Sequence, residues 1–119
     1  MREDGTPFTQ YVWGKIWVNN HAHVLKGKNG ISTEHLLTFI KNENVGAYVT
    51  GAVQLKINQG NMNRIPFLYA TKEIHDSFGR SLDKIYSKYK LNHDQTETLT
   101  KLRDTLLPEL ISGRVRVSV

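Results

Sequence analysis

The last third of the chain, Lys72 to Ser112, most constrains what it can fold into. Apolar residues recur there at steps of three and four: Ile74, Phe78, Leu82, Ile85 and Tyr89, then Leu99, Leu102, Leu106 and Leu110. That spacing describes an amphipathic helix with one narrow apolar seam. Unbroken, it would run roughly 60 Å, at a rise of about 1.5 Å per residue. The rest of a small chain cannot cover so long a seam, so the helix is expected to lie against another, from the same complex or from a second copy. Two polar residues, Asn92 and Thr96, interrupt the pattern. An Asn in such a seam weakens the pairing but fixes its register and partner number. The competing reading is a hairpin that breaks at Leu91-Asn92-His93-Asp94, with Asn92 or Asp94 capping a second helix. No glycine or proline marks a turn there, which favours the continuous helix. Pro108 should bend or loosen the last turns, and Gly113 suits a stop beyond them.

At 119 residues the chain is one domain's worth with a helical appendage. No run approaches the length of a membrane span, and the first residues lack an apolar signal core. The absence of cysteine excludes disulfides and thiolate chemistry and makes a cytoplasmic location natural. The net charge of +5 makes a polyanion partner plausible. No dense arginine block marks an indiscriminate binder.

Ahead of the helix the pattern is that of a small mixed sheet, giving an α+β chain. Tyr11 to Val18 is rich in aromatic and β-branched residues and predicts a strand, with Trp13 and Trp17 as packing residues. Asn19-Asn20 signals a turn, and His21 to Leu25 continues as a strand with His21 and His23 on one face. Lys26-Gly27-Lys28-Asn29-Gly30 is a basic loop fit for phosphate or for a simple connection. Ser32 to Lys41 predicts a helix with Ser32 as its N-cap. Val53, Leu55 and Ile57 alternate with Gln54, Lys56 and Asn58 as a half-buried strand, and Ile65 to Tyr69 predicts an edge strand. Met1 to Thr9 reads as a ragged start.

Two sets of polar residues carry possible chemistry. The amides from Asn58 to Asn63 could read adenine in a major groove, but Asn also builds turns by bonding its own backbone. The turn is the favoured reading. His21 and His23 could hold a metal only with a third ligand. Carboxylates before Lys72 are sparse, and no nucleophile with a base and an orienting group can be assembled. A metal-dependent hydrolase built on His21 and His23 therefore ranks last.

The tail from Glu97 to Val117, with Leu102-Arg103-Asp104-Thr105-Leu106-Leu107-Pro108-Glu109-Leu110-Ile111-Ser112-Gly113, closely resembles the end of specificity subunits of bacterial type I restriction-modification systems. Those commonly close on an LRDxLLPxLISGxIxV-like pattern. The middle, Thr50-Gly51-Ala52-Val53-Gln54 through Asn58-Gln59-Gly60-Asn61-Met62 to Ile65-Pro66, resembles the TGxxQ, NQxNL and IP signature of their target-recognition domains, with Met62 in place of the usual Leu. Trp17 to Leu25 also fits.

The resemblance implies a non-catalytic DNA reader and scaffold without a cofactor or metal of its own. Each recognition domain reads one half of a split double-stranded DNA target. Paired antiparallel helices set the spacing between the halves. Modification (methyltransferase) subunits, which bind S-adenosylmethionine, and a restriction subunit are the implied partners. The implied layout is a partial target-recognition domain over residues 1–70, a coiled-coil spacer helix over 71–113 and a tail over 114–119. Only part of one recognition domain is expected here, so the chain reads as a fragment. Its helix, left without the usual mate, would pair with a second copy through Phe78, Leu82, Ile85, Tyr89, Asn92, Leu99, Leu102, Leu106 and Leu110. The DNA-facing candidates are Asn20, His21, His23, Lys26, Lys28, Gln54, Lys56, Asn58, Gln59, Asn61 and Asn63, with Gln59 the first choice for a structural role in the loop. The alternative is a helix-pairing module with no DNA role.

Overall fold

The computed structural model describes residues 1–52, 55–114 and 116. Their elements run α1 (Thr33–Asn42), a single 3-10 turn (Gly46–Tyr48), β1 (Val49–Thr50), β2 (Lys56–Ile57), α2 (Gln59–Met62) and α3 (Lys72–Ile111). The class is α+β, with one two-stranded antiparallel sheet and a long C-terminal helix. The chain divides into two units, Met1–Leu82 and Asp83–Val119.

In the first unit, α1 forms where its local signals place it. Ser32 is extended at the N-cap, and its hydroxyl accepts the His35 N–H at 3.1 Å. That bond satisfies one of the donors every helix start leaves open. The loop before α1 is drawn in tightly. Asn29 and Gly30 both take positive φ, 55° and 82°, and the Ile31 N–H closes the turn on the Lys28 carbonyl. Gly27 sits so close to the chain entering α1 that a Cβ there would overlap the Ile31 carbonyl oxygen. Only glycine allows that approach.

The N-terminus is organised, not ragged. The Val45 N–H donates to the Gly5 carbonyl at 2.9 Å, and the Asn44 amide donates to the Asp4 carbonyl at 3.0 Å. Val45 is buried behind this contact. Asp4 accepts from both the hydroxyl and the N–H of Thr6, and these bonds hold its carboxyl below the usual carboxylate range.

The sheet is smaller than the sequence predicts. Val49 pairs with Ile57 and Thr50 with Lys56. Residues 11–18, 21–25 and 65–69 are not strands. A strand needs a neighbour to take up its N–H and C=O groups, and none of these stretches has one in the sheet formed here. Gly14, at φ 75°, also lies outside extended backbone and interrupts the first run. Trp13 stays half-buried with its ring 5.4 Å from that of Tyr11, whereas Trp17 is fully exposed rather than packed. Tyr11 reaches α1 through its hydroxyl, which donates to Glu34 at 2.7 Å.

The packed centre of the first unit is aromatic. His35 of α1 lies edge-on to Phe78 of α3 at 4.7 Å between ring centres, and 5.0 Å from His75. Phe67 packs against Phe39 at 4.8 Å, and Tyr69 against His75 at 4.4 Å. His75 is buried, and its Nε2 accepts the Ala70 N–H at 2.8 Å. That bond requires Nε2 to be unprotonated, so the neutral ring carries its proton on Nδ1. The seam's first member is thereby displaced. His75 is covered at the start of α3, while Ile74 is 59% exposed.

Burial, and then the electrostatic influence of the neighbouring His75 ring, hold the His35 imidazole below its ordinary value of 6.5. A base depressed in the folded state stabilises that state fully above 6.5. The contribution is lost as pH falls from there through the folded value. Unfolding free energy is thus expected to drop as pH is lowered below 6.5. His35→Phe, which keeps the ring but cannot titrate, should flatten that slope in urea titrations. An unchanged slope would remove His35 as its source.

α3 is one uninterrupted helix of 40 residues, and it continues through Pro108. There is no hairpin at Asn92. Beyond Ile111 it ends as Gly113 predicts. Gly113 has φ 76°, its N–H returns to the Leu110 carbonyl at 3.3 Å, and the Arg114 N–H returns to Glu109 at 2.9 Å. This pair of reverse bonds is the glycine-terminated helix stop. The strand-like alternation expected from Arg114 to Val117 involves Val115 and Val117, which lie outside the described residues.

Candidate nucleic-acid interface

The predicted DNA-facing residues fall into three local groups, all in the first unit. The first is gathered on β2. Asn19 and Asn20 open a turn in which the Asn19 side chain accepts the His21 N–H at 2.9 Å and its carbonyl accepts the Ala22 N–H. The turn carries His21 and His23 to β2. His23 Nε2 donates to the Ile57 carbonyl at 2.7 Å, and His21 Nδ1 accepts from the Lys56 ammonium at 3.3 Å. These bonds make both imidazoles Nε2–H tautomers when neutral. Asn20, His21, His23 and Lys56 are all exposed. A cation and the His21 ring N–H on one accessible patch suit an anionic ligand such as a phosphate.

The Lys56 ammonium beside His21 speaks against a metal cation held by that ring. Among the described residues, the ligand atoms that converge are those of His93, Asp94 and Glu97 on the exposed surface of α3.

The second group is the amide loop. Asn58 caps α2, its side chain accepting the Asn61 N–H at 2.7 Å. The Asn61 amide donates to the Tyr48 carbonyl at 3.0 Å. Asn58 and Asn61 therefore build the turn, as Asn does elsewhere. Gln59 and Asn63 keep exposed side chains and are joined only through backbone, the Asn63 N–H donating to the Gln59 carbonyl at 3.0 Å. Of the four, Gln59 and Asn63 are the better placed to meet a ligand. Gln54 lies outside the described residues.

The third group, Lys26 and Lys28, stands exposed on the loop entering α1. The intervening Gly27 N–H donates to Thr33 Oγ1 at 2.9 Å, which ties the loop to the helix start. Periodicity could not foresee which amides turn inward, because the partner that decides it for Asn61 is a carbonyl 13 residues away.

In the second unit the helix surface is open. Ile85 and Leu99 are 61% and 64% exposed, and Leu102 and Leu110 are exposed with them. Tyr89 and Asn92 are exposed too, and Leu106 is half-buried. Of the expected pairing residues only Leu82, in the first unit, is buried. No helix among the described residues is long and apolar enough to cross a membrane.

Comparison with known proteins adds an independent line. No family model matches the chain, and no solved structure matches it significantly. Two curated proteins of Haemophilus influenzae do match. One is a candidate type I restriction enzyme specificity subunit, 26% identical over 76 residues, which is 64% of this chain. The other is the specificity subunit of the type I restriction enzyme HindI, 28% identical over 89 residues, or 71% of this chain. The matched stretch spans 20% and 19% of these two relatives, about a fifth of their length. By sequence, the chain is similar to type I restriction enzyme specificity subunits over about two thirds of its own length.

Proposed function

We propose that this chain is part of the DNA-recognition and scaffold subunit of a type I restriction-modification complex. Residues 1–70 supply part of a target-recognition domain, 71–113 the spacer helix and 114–119 the tail. The chain performs no catalysis. It directs the methyltransferase and restriction subunits to one half of a bipartite DNA target, and a second copy covers the other half. The observation that carries this reading is the kinship to two specificity subunits over most of the chain. The exposed basic and amide groups on one unit and the open apolar seam on the other support the division of labour.

The test is co-expression with the modification subunit of the same system. Co-purification and sequence-specific adenine or cytosine methylation of plasmid DNA are expected, and their absence would defeat the proposal. The second reading, a helix-pairing module without a DNA role, is favoured by the seam alone. Titrating labelled duplex at low and moderate salt separates them. Binding that weakens steeply with salt supports DNA recognition, whereas no binding to the assembled complex supports the pairing module.

A further inference from the structure

The middle of α3 gathers three metal-ligating side chains on one turn. His93, Asp94 and Glu97 each present a ligand atom, an imidazole nitrogen or a carboxylate oxygen, and these atoms lie within 4.8 Å of one another. The spacing of the residues brings this about. At about 100° per residue, Glu97 stands about 40° around the helix from His93 and Asp94 about 100°, with Glu97 between the two. Helical side chains lean back toward the N-terminus. The long side chain of Glu97 therefore reaches back over the turn that holds His93 and the shorter Asp94. The helix is continuous through this stretch, which keeps the three in register.

Two carboxylates this close repel each other unless a cation lies between them. Lys90 and Lys101, each one turn away, are spaced to supply it. Yet neither the Asp94 nor the Glu97 carboxylate has an ion pair or side-chain hydrogen bond among the described residues. Nearby ion pairs join Arg103 to Asp104 and Arg114 to Glu109 instead. This half of the helix is also acidic as a whole. Residues 94–111 hold Asp94, Glu97, Asp104 and Glu109 against Lys101 and Arg103.

We propose that His93, Asp94 and Glu97 bind one zinc ion, with water in its remaining coordination position. The site goes beyond the DNA-recognition reading and does not depend on it. An imidazole beside two carboxylates suits a first-row divalent metal such as zinc, whereas magnesium and calcium take oxygen ligands. At bond lengths of about 2.1 Å, ligand atoms in a tetrahedral shell stand about 3.5 Å apart. All three side chains are exposed, so small rotations close the difference and the ion enters without opening the fold.

The consequence falls on the helix. Residues 91–105 are all exposed, so α3 has little packing to support it there, and packing is what stabilises most helices. An ion held by residues 93 and 97 ties one turn to the next. Because the three ligands converge only while the helix is formed, binding stabilises the helical state.

Equilibrium dialysis of the full chain against zinc chloride tests the site. One zinc per chain is expected, and excess magnesium should not displace it. His93→Ala, Asp94→Asn and Glu97→Gln should each weaken zinc binding about tenfold or more, since loss of a group that merely orients a ligand already costs about that much. Asp104→Asn, on the same helix outside the cluster, should bind as the parent does. Zinc should also slow hydrogen exchange of the amides from residue 93 to residue 101 in the parent and not in Glu97→Gln. Far-ultraviolet circular dichroism checks that the helix persists, and the isosteric Asp94→Asn and Glu97→Gln chains decide the matter if His93→Ala loses it.

No zinc bound by the parent at millimolar zinc would overturn the proposal. So would equal binding by the parent and the three variants, which would put the ion elsewhere. A loss in Asp104→Asn as large as in Glu97→Gln would mean diffuse attraction to an acidic surface and overturn it too. Failure of the DNA-recognition reading shows separately, in the methylation test, and leaves zinc binding unchanged.

Discussion

Replacing His75 with alanine is expected to destabilise the first unit by about 2–4 kcal/mol. The imidazole is buried among Tyr69, Phe67 and His35, with ring-centre distances of 4.4, 6.4 and 5.0 Å. Truncation leaves a cavity in a unit with few other buried groups, and it deprives the Ala70 N–H of its acceptor. Two costs therefore add, lost packing and an unpaired donor. His75→Phe separates them, since it keeps the ring volume and removes only the acceptor. It should cost about 1 kcal/mol, the size of one hydrogen bond, and less because the buried Nδ1, which has no partner, is removed with it. Urea unfolding monitored by the near-ultraviolet signal of Trp13 and the tyrosines reads both variants. A His75→Ala chain within about 0.5 kcal/mol of the parent would mean that the aromatic cluster does not hold the start of α3 in place.

The second large effect is expected in DNA binding. In the assembled methyltransferase complex, Lys26→Ala together with Lys28→Ala should weaken binding to all duplexes alike. The slope of log affinity against log salt should become shallower by about two, at ~0.9 per lost phosphate contact. Both lysines are exposed on a loop whose fold depends on Gly27, Asn29 and Gly30 rather than on their side chains, so the loop should survive the change. Gln59→Ala and Asn63→Ala should act differently, changing which sequences are preferred while leaving the salt slope intact. Asn58→Ala and Asn61→Ala should disturb the loop itself, because these side chains cap α2 and hold Tyr48. An unchanged slope for the double lysine variant would remove this loop from the interface. Unchanged methylation targets in the Gln59 and Asn63 variants would remove those amides from base reading.

The sequence by itself determined what is local. The Ser32 cap, the continuous α3 through Asn92 and the stop at Gly113 depend on residues within a turn or two of one another, and each follows from the order of side chains alone. Tertiary structure alone decided what needs a distant neighbour. The pattern in residues 11–18, 21–25 and 65–69 suits a strand, but a strand exists only where another accepts its hydrogen bonds, and among the described residues only β1 and β2 find each other. Likewise the helix period includes both Ile74 and His75 near one face, and it was the arrival of α1 with His35 that buried the histidine and left the isoleucine in water. His21 and His23 gained their meaning from β2, more than 30 residues later, through the ammonium of Lys56 and the carbonyl of Ile57. Periodicity specifies which face of an element is apolar; what comes to cover that face is settled by contacts the intervening chain must fold to make.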